Sequence, residues 1–266
     1  MTTSTTQFLL TIDAGNTNTV LGLHEGAELR VHWRLTTRRE QTADEYGILV
    51  RNLFAASGFD PKAILGVALA SVVPPLTPVL VTLSRQYLGL EPLVVEPGVR
   101  TGMPILYEPP SDVGADRIVN GVAALAAFGG PVIVVDFGTA TTFDVVTRKG
   151  EYIGGVICPG VGISADALFQ RAARLPRVDV RNPGRVIGRS TVGSIQSGMY
   201  FGYAAMVEGI IARIRAELGE PARVVATGGL AESLAADIPS IESVDPVLTL
   251  TGLRLIWERN RASSKP

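Results

Sequence analysis

The sequence predicts an α/β fold in which one plan is used twice, each time as a mixed sheet with helices on its faces. Residues 8–23 read FLLTIDAGNTNTVLGL: an apolar, β-rich run ends on Asp13, and a tight turn holds Gly15 and the polar Asn16, Thr17, Asn18 and Thr19 before a second apolar run leaves. Residues 131–146 read PVIVVDFGTATTFDVV, again a strand that ends on an acid, Asp136, followed by Gly138, Thr139, Ala140, Thr141, Thr142 and another strand. The two turns lie about one domain's length apart, and like turns in like context at that spacing point to a duplicated unit. The third observation is the order of elements in the first half, β-β-β-α-β-α-β, which builds a mixed sheet flanked by helices.

Each element has its own signal. Residues 19–23 and 28–35 alternate as strands and meet at a turn on Glu25 and Gly26. Thr42-Ala43-Asp44-Glu45 is a capping box, after which Tyr46, Leu49, Val50, Leu53 and Phe54 recur at helical spacing to about residue 56. A buried strand over 64–72 follows, then a helix opened by Pro74 and Pro75 and carrying Leu76, Val79, Leu80 and Leu83, then a short strand at 93–95. Residues 97–117, PGVRTGMPILYEPPSDVGADR, are rich in proline and glycine and read as a binding segment. That segment ends at Gly114-Ala115-Asp116-Arg117 where a helix begins, so Asp116 is either an N-cap or a working acid.

The second half repeats the plan, with strands at 131–136, 143–147 and 151–157, a break at Pro159-Gly160 and a helix over about 164–173. A long helix runs from Thr191 to about 218, and its Ser194, Gly198, Gly202 and Ala205 would let another backbone come close, in the core or in a second subunit. The strand at 223–227 runs into Gly228 and Gly229, where a ligand or a helix start can approach. An amphipathic helix at 248–258 closes the chain. The expected domains are 1–117 and 118–260, with 261–266 as a frayed tail.

Composition bounds the function. The 46% hydrophobic content is that of a globular protein, no apolar run is long enough to cross a bilayer, and MTTSTTQ shows no signal sequence; a cytoplasmic protein is expected. The single cysteine, Cys158, excludes an internal disulfide and a cysteine-based metal site, and reads as a buried thiol. A net charge of −1 gives no long-range attraction for nucleic acid or an anionic membrane, so neither is expected as a partner. Arg171, Arg174, Arg177, Arg181, Arg185 and Arg189, with only Asp179 against them, form either a solvated segment or an anion-binding flap. No Gly-Lys-Ser or Gly-Lys-Thr ends a glycine-rich loop, which excludes a P-loop. His24 and His32 read as surface strand residues.

An acid at the end of a buried strand can hold magnesium, and loop amides with short hydroxyl side chains can surround phosphate oxygens. Two such turns and a late Gly-Gly after a strand resemble the superfamily of sugar kinases, actin and the heat-shock ATPases, which has duplicated RNase H-like domains with ATP in the cleft between them. Within it, the chain resembles the type III pantothenate kinases. The likeness rests on DAGNTNTV at 13–20, GADR at 114–117, DFGTATT at 136–142, GGVICPGVGIS at 154–164, LFQRAARLP at 168–176, STVGSIQSG at 190–198, Asp245-Pro246 and the LTLTGL ending.

The resemblance implies ATP-dependent phosphorylation of pantothenate, the first step towards coenzyme A. It implies that Asp13, Ala14, Gly15, Asn16, Thr17, Asn18, Thr19 and Val20 hold the ATP phosphates, with Asp13 near Mg2+ and Thr139 joining them. Asp116 would accept the hydroxyl proton, and Tyr107, Gly114, Ala115, Asp116, Arg117 and Thr191 would bind pantothenate. Asp136 would be the ligand of a monovalent cation, K+ or NH4+, and the working unit a homodimer. The other classes are a kinase of another small alcohol and a non-catalytic regulator of the same fold. The GADR segment argues against the first, and the presence of Asp13 and Asp116 against the second.

Overall fold

The computed structural model describes residues 7–262, so the readings of the extreme N-terminus and of 263–266 lie outside the described residues. The chain forms two compact units. One comprises the residues up to Ala123 together with those from Thr249 on, and the other is Ala124–Leu248.

In the first unit, β1 (Phe8–Ala14), β2 (Asn18–Glu25) and β3 (Glu28–Thr36) form an antiparallel meander, because short turns connect them. After α1 (Ala43–Ala56) the chain returns as β4 (Ile64–Ser71), parallel to β1, and after α2 (Leu76–Leu83) as β5 (Leu93–Val94), parallel to β4. The sheet order is β3-β2-β1-β4-β5. Alternate residues of β1 and β2, Leu10, Ile12, Leu21 and Leu23, point into a core with Tyr46, Val50 and Phe54 of α1 and Leu76 and Leu80 of α2. The capping box forms as expected: Thr42 Oγ1 accepts from the Glu45 amide, and the Glu45 carboxylate accepts from the Thr42 amide at 2.7 Å.

The last helix, α7 (Leu248–Ala262), packs with this unit, whereas the sequence expectation put most of it in the second domain. Missing side chains explain the contact. A Cβ at Gly22 of β2 would come within 2.8 Å of Leu250, and one at Gly66 of β4 within 2.5 Å of the Trp257 ring. Glycines on the sheet thus form the seat of the helix, which runs four residues beyond its expected end at 258.

The second unit has the same topology. β6 (Val132–Phe137), β7 (Ala140–Val146) and β8 (Tyr152–Pro159) are antiparallel; β9 (Arg223–Thr227) lies parallel to β6 and β10 (Ser243–Val244) to β9. The order β10-β9-β6-β7-β8 is that of the first sheet, strand for strand, so the duplication holds at the level of connectivity. Its helices are α4 (Val161–Arg171), which starts three residues earlier than expected, α5 (Thr191–Leu218), and the short α6 (Ala231–Ala235), which begins just after Gly228-Gly229, where a ligand or a helix start was expected. The chain passes from one unit to the next within a helix, α3 (Ala115–Phe128).

Two expectations fail. Cys158 is only half-buried, because it sits on β8 at the sheet's edge. His24, read as a surface residue, is buried at 1% exposure, whereas His32 on the edge strand β3 is exposed. Burial, helped by the nearby Arg254 charge, pushes the His24 imidazole down to about 4. The unfolded chain then binds a proton below its ordinary value of 6.5 that the folded chain refuses down to about 4, so stability falls as pH drops through that window. The full effect is on the order of 3 kcal/mol. His24→Gln should remove this part of the acid-side loss in denaturant titrations run at a series of pH values; a variant whose profile parallels that of the unmodified protein between pH 6.5 and 4 would contradict the assignment.

Candidate active site

The first turn is held by a residue that the motif does not contain. The Gly15 amide donates to the Asn18 carbonyl at 3.0 Å and closes the turn between β1 and β2. Thr37, just beyond β3, clamps it: its hydroxyl donates to the Gly15 carbonyl at 2.7 Å and its amide to the Thr17 carbonyl at 2.9 Å. Since the Thr37 proton is used on Gly15, the 2.9 Å contact between the Thr19 and Thr37 hydroxyls has Thr19 as donor. Thr19 is therefore buried and structural, while Asn16 and Thr17 are exposed and Asp13 half-buried at the end of β1. Nothing in the spacing of Thr37 relative to 13–20 marks it, because a strand pairing sets the contact.

Gly114-Ala115-Asp116-Arg117 meets this loop through one residue. The Val72 amide donates to the Ala14 carbonyl at 3.0 Å, and its side chain stands 3.3 Å from where a Gly114 Cβ would be. Asp116 is not the N-cap of α3. Gly114 takes that place, its carbonyl accepting from Arg117 at 3.1 Å and Ile118 at 3.3 Å, and Asp116 lies in the first turn with its Oδ1 accepting from the Arg117 amide at 2.8 Å. A side chain on Gly114 would touch that same oxygen, at 2.6 Å. Burial pushes the Asp116 carboxyl up; the Arg117 amide bond and guanidinium work against this without cancelling it. Arg117 itself is buried, and Tyr107 is half-buried in the preceding loop.

In the second unit, Asp136 ends β6 as Asp13 ends β1. Gly138 donates to the Ala140 carbonyl at 3.1 Å to close the turn, and Thr139 is exposed at its tip. Gly160 donates to the Thr139 carbonyl at 3.1 Å, and a Cβ there would collide with the Gly138 and Thr139 carbonyl oxygens. The Gly-Gly signal finds its reason here: Gly228 has φ +93°, and a Cβ would run into Asp136 Oδ1. Thr191 is exposed at the first residue of α5, whose cap Ser190 accepts from the Gly193 amide at 3.1 Å. Ser194, Gly198, Gly202 and Ala205 are all exposed in this chain, so the stripe does not serve its core. Of the arginine run, Arg177 pairs with Asp166 at 2.8 Å, and Arg181, Arg185 and Arg189 line one concavity beside the start of α5.

Two like units, each with a strand-ending acid and a glycine-closed turn, define the fold class of the sugar kinases and actin-like ATPases. Solved structures agree in fold. A conserved Campylobacter jejuni protein assigned to the Baf family of transcriptional activators has a TM-score of 0.61 at 19% identity, covering 95% of this chain and 99% of that one. An Arthrobacter polyphosphate/ATP-glucomannokinase has 0.52 at 13% identity, covering 95% and 99%. Sequence narrows the class. The family model of type III pantothenate kinases matches residues 9–213. Type III pantothenate kinases of Koribacter versatilis and Moorella thermoacetica are 55% and 58% identical, over 97% and 95% of this chain and 97% and 99% of their own lengths. The chain belongs to the type III pantothenate kinase family.

Gly228→Ala should destabilise the protein by about 2 kcal/mol or more, because it combines a left-handed backbone with a clash against Asp136. Gly162→Ala, where a Cβ meets nothing within 4 Å, is the control and should be neutral. Equal denaturant midpoints for the two variants would show that Asp136 is not held in this way.

Proposed function

We propose that this enzyme transfers the γ-phosphoryl group of ATP to the primary hydroxyl of pantothenate, giving 4'-phosphopantothenate, with Asp116 as the base. The observation that carries this is the placement of a raised-pKa carboxylate at the start of α3, tied through Val72 to the 13–20 turn. Phosphoryl transfer needs little covalent chemistry from the protein; it needs phosphates held in place, a hydroxyl aligned with them and an acceptor for its proton. A carboxylate made more basic by burial is a better acceptor than an exposed one.

In this reading the turn of Asp13, Gly15, Asn16, Thr17 and Asn18, with Asn16 and Thr17 exposed, and Thr139 of the second turn hold the ATP phosphates, while Ala14, Thr19 and Val20 shape the hairpin. Among the described residues no cluster of His, Cys, Asp or Glu stands ready as a metal cage, so magnesium fits as Mg-ATP with one hard oxygen from Asp13. Asp136, its Oδ1 held against the faces of Gly138 and Gly228, offers a hard carboxylate oxygen that suits potassium or ammonium. In this reading Tyr107, Gly114, Ala115 and Arg117 bind pantothenate with the help of Thr191, the Arg117 guanidinium being suited to a carboxylate. No helix among the described residues is long and apolar enough to cross a membrane, and a cytoplasmic location fits the substrates.

Asp116→Asn tests the base. Gly114 caps the helix, so the variant keeps its fold, and turnover should fall ~100-fold or more. Because the folded pKa is raised, ionised Asp116 lowers stability at neutral pH and not below its ordinary value of 3.8, so the inactive variant should be as stable as the unmodified protein, or more so, at pH 7. A folded Asp116→Asn protein with near-normal activity would remove the residue from the mechanism.

The exposed small-residue stripe of α5, with Val192 beside it at 43% exposure, supports a homodimer in which Thr191 completes the partner's pocket. Mixing Asp116→Asn with Thr191→Arg should then restore activity after subunit exchange, since each heterodimer has one intact site. No recovery, or a monomer by sedimentation at assay concentration, refutes the shared site.

A further inference from the structure

Residues 37–39, just beyond β3, decide which hydrogen-bonding groups the 13–20 turn has left to offer. Three of its backbone carbonyls are taken: Asn18 accepts from the Gly15 amide, Gly15 from the Thr37 hydroxyl and Thr17 from the Thr37 amide. Two residues beyond Thr37, Nη2 of Arg39 donates to Oδ1 of Asn16 at 3.1 Å. A guanidinium only donates, so this bond fixes which end of the Asn16 side-chain amide is the oxygen and leaves its NH2 unspent. A loop whose acceptors are occupied and whose donors are not suits an anion.

Charge points the same way. Residues 13–20, DAGNTNTV, contain no lysine or arginine, and Asp13 adds a negative charge. The phosphates of Mg-ATP remain anionic, and phosphoryl-transfer sites meet them with a cationic side chain as well as with the metal. Arg39 is exposed, and among the described residues its guanidinium bonds to no side chain but Asn16 and pairs with no carboxylate. Its other N–H groups are therefore open to a ligand, on a side chain already tied to the turn. Thr37 supports this placement, because it fixes the backbone two residues before Arg39 against Gly15 and Thr17.

We propose that Arg39 is a ligand of the ATP phosphates, its guanidinium supplying the positive charge that the 13–20 turn lacks and its bond to Asn16 leaving that residue's NH2 to donate to the same oxygens. This role rests on the reading of the turn as the ATP site and assigns to it a ligand from outside the turn.

Three variants separate charge from bracing. Arg39→Ala removes both, Arg39→Gln keeps a donor for Asn16 Oδ1 without the charge, and Arg39→Lys keeps the charge. Calorimetric binding of the non-hydrolysable β,γ-imido analogue of ATP with Mg2+ should weaken about ten-fold or more in Arg39→Ala and Arg39→Gln, and by less in Arg39→Lys. In steady-state assays KM for ATP should rise likewise while KM for pantothenate stays unchanged, and the gap between Arg39→Ala and the unmodified enzyme should narrow as salt is raised. If the unmodified protein binds the analogue and Arg39→Ala binds it equally well, Arg39 is not a ligand. Full affinity in Arg39→Gln would make it a brace for Asn16 only, and a matching rise in KM for pantothenate would make it a part of the fold; either result overturns the proposal. No binding to the unmodified protein would instead remove the ATP site from this turn, and Arg39 with it.

Discussion

Two carboxylates that end buried central strands constrain everything around them. Asp13 and Asp136 each stand where a strand stops and a turn closes within a few residues, the Gly15 and Gly138 amides being spent on closing it. The second unit requires glycine at position 228, whose left-handed backbone and missing Cβ let β9 end directly against the Asp136 carboxylate. An apolar side chain at either acid would fill the same strand position and leave the turn without a charge to organise.

The cost of this arrangement is carried by packing. Both sheets place the acid-bearing strand at the centre, between an antiparallel neighbour and a parallel one, so each is fixed on both edges. The turns are then clamped from outside their own motifs: Thr37 holds the first, and the Gly160 amide holds the second. Asp116 follows a different principle. It is kept unfavourable by burial at the start of α3, and the Arg117 amide offsets only part of the penalty, which is the electrostatic condition of a proton acceptor rather than of a helix cap. In the proposed function these parts divide into phosphate holding, cation binding and proton removal.

Much of the site was legible because its signals are local. Asp-x-Gly turns, the capping box at Thr42 and the glycine-rich approach to Asp116 are set by backbone geometry over a few residues, and all appear where the sequence placed them. Thr37 was not legible, since its bonds to Gly15 and Thr17 depend on how β3 ends beside β2. His24 misled for the same reason: its alternating strand pattern is that of a half-exposed sheet, and only α7 lying across that face buries it. The small-residue stripe of α5 was ambiguous between core and surface until the chain showed it exposed.

By itself the sequence determined the two-fold plan, the order of the longer strands and helices, the residues at both turns and the family, because each follows from short-range periodicity or from motifs in a set order. Only the tertiary structure decided that α7 belongs to the first unit, that Gly114 rather than Asp116 caps α3, that Gly228 exists for the sake of Asp136, and that His24 is buried. These are contacts between residues far apart in the chain, and they depend on which faces meet once the sheets have formed.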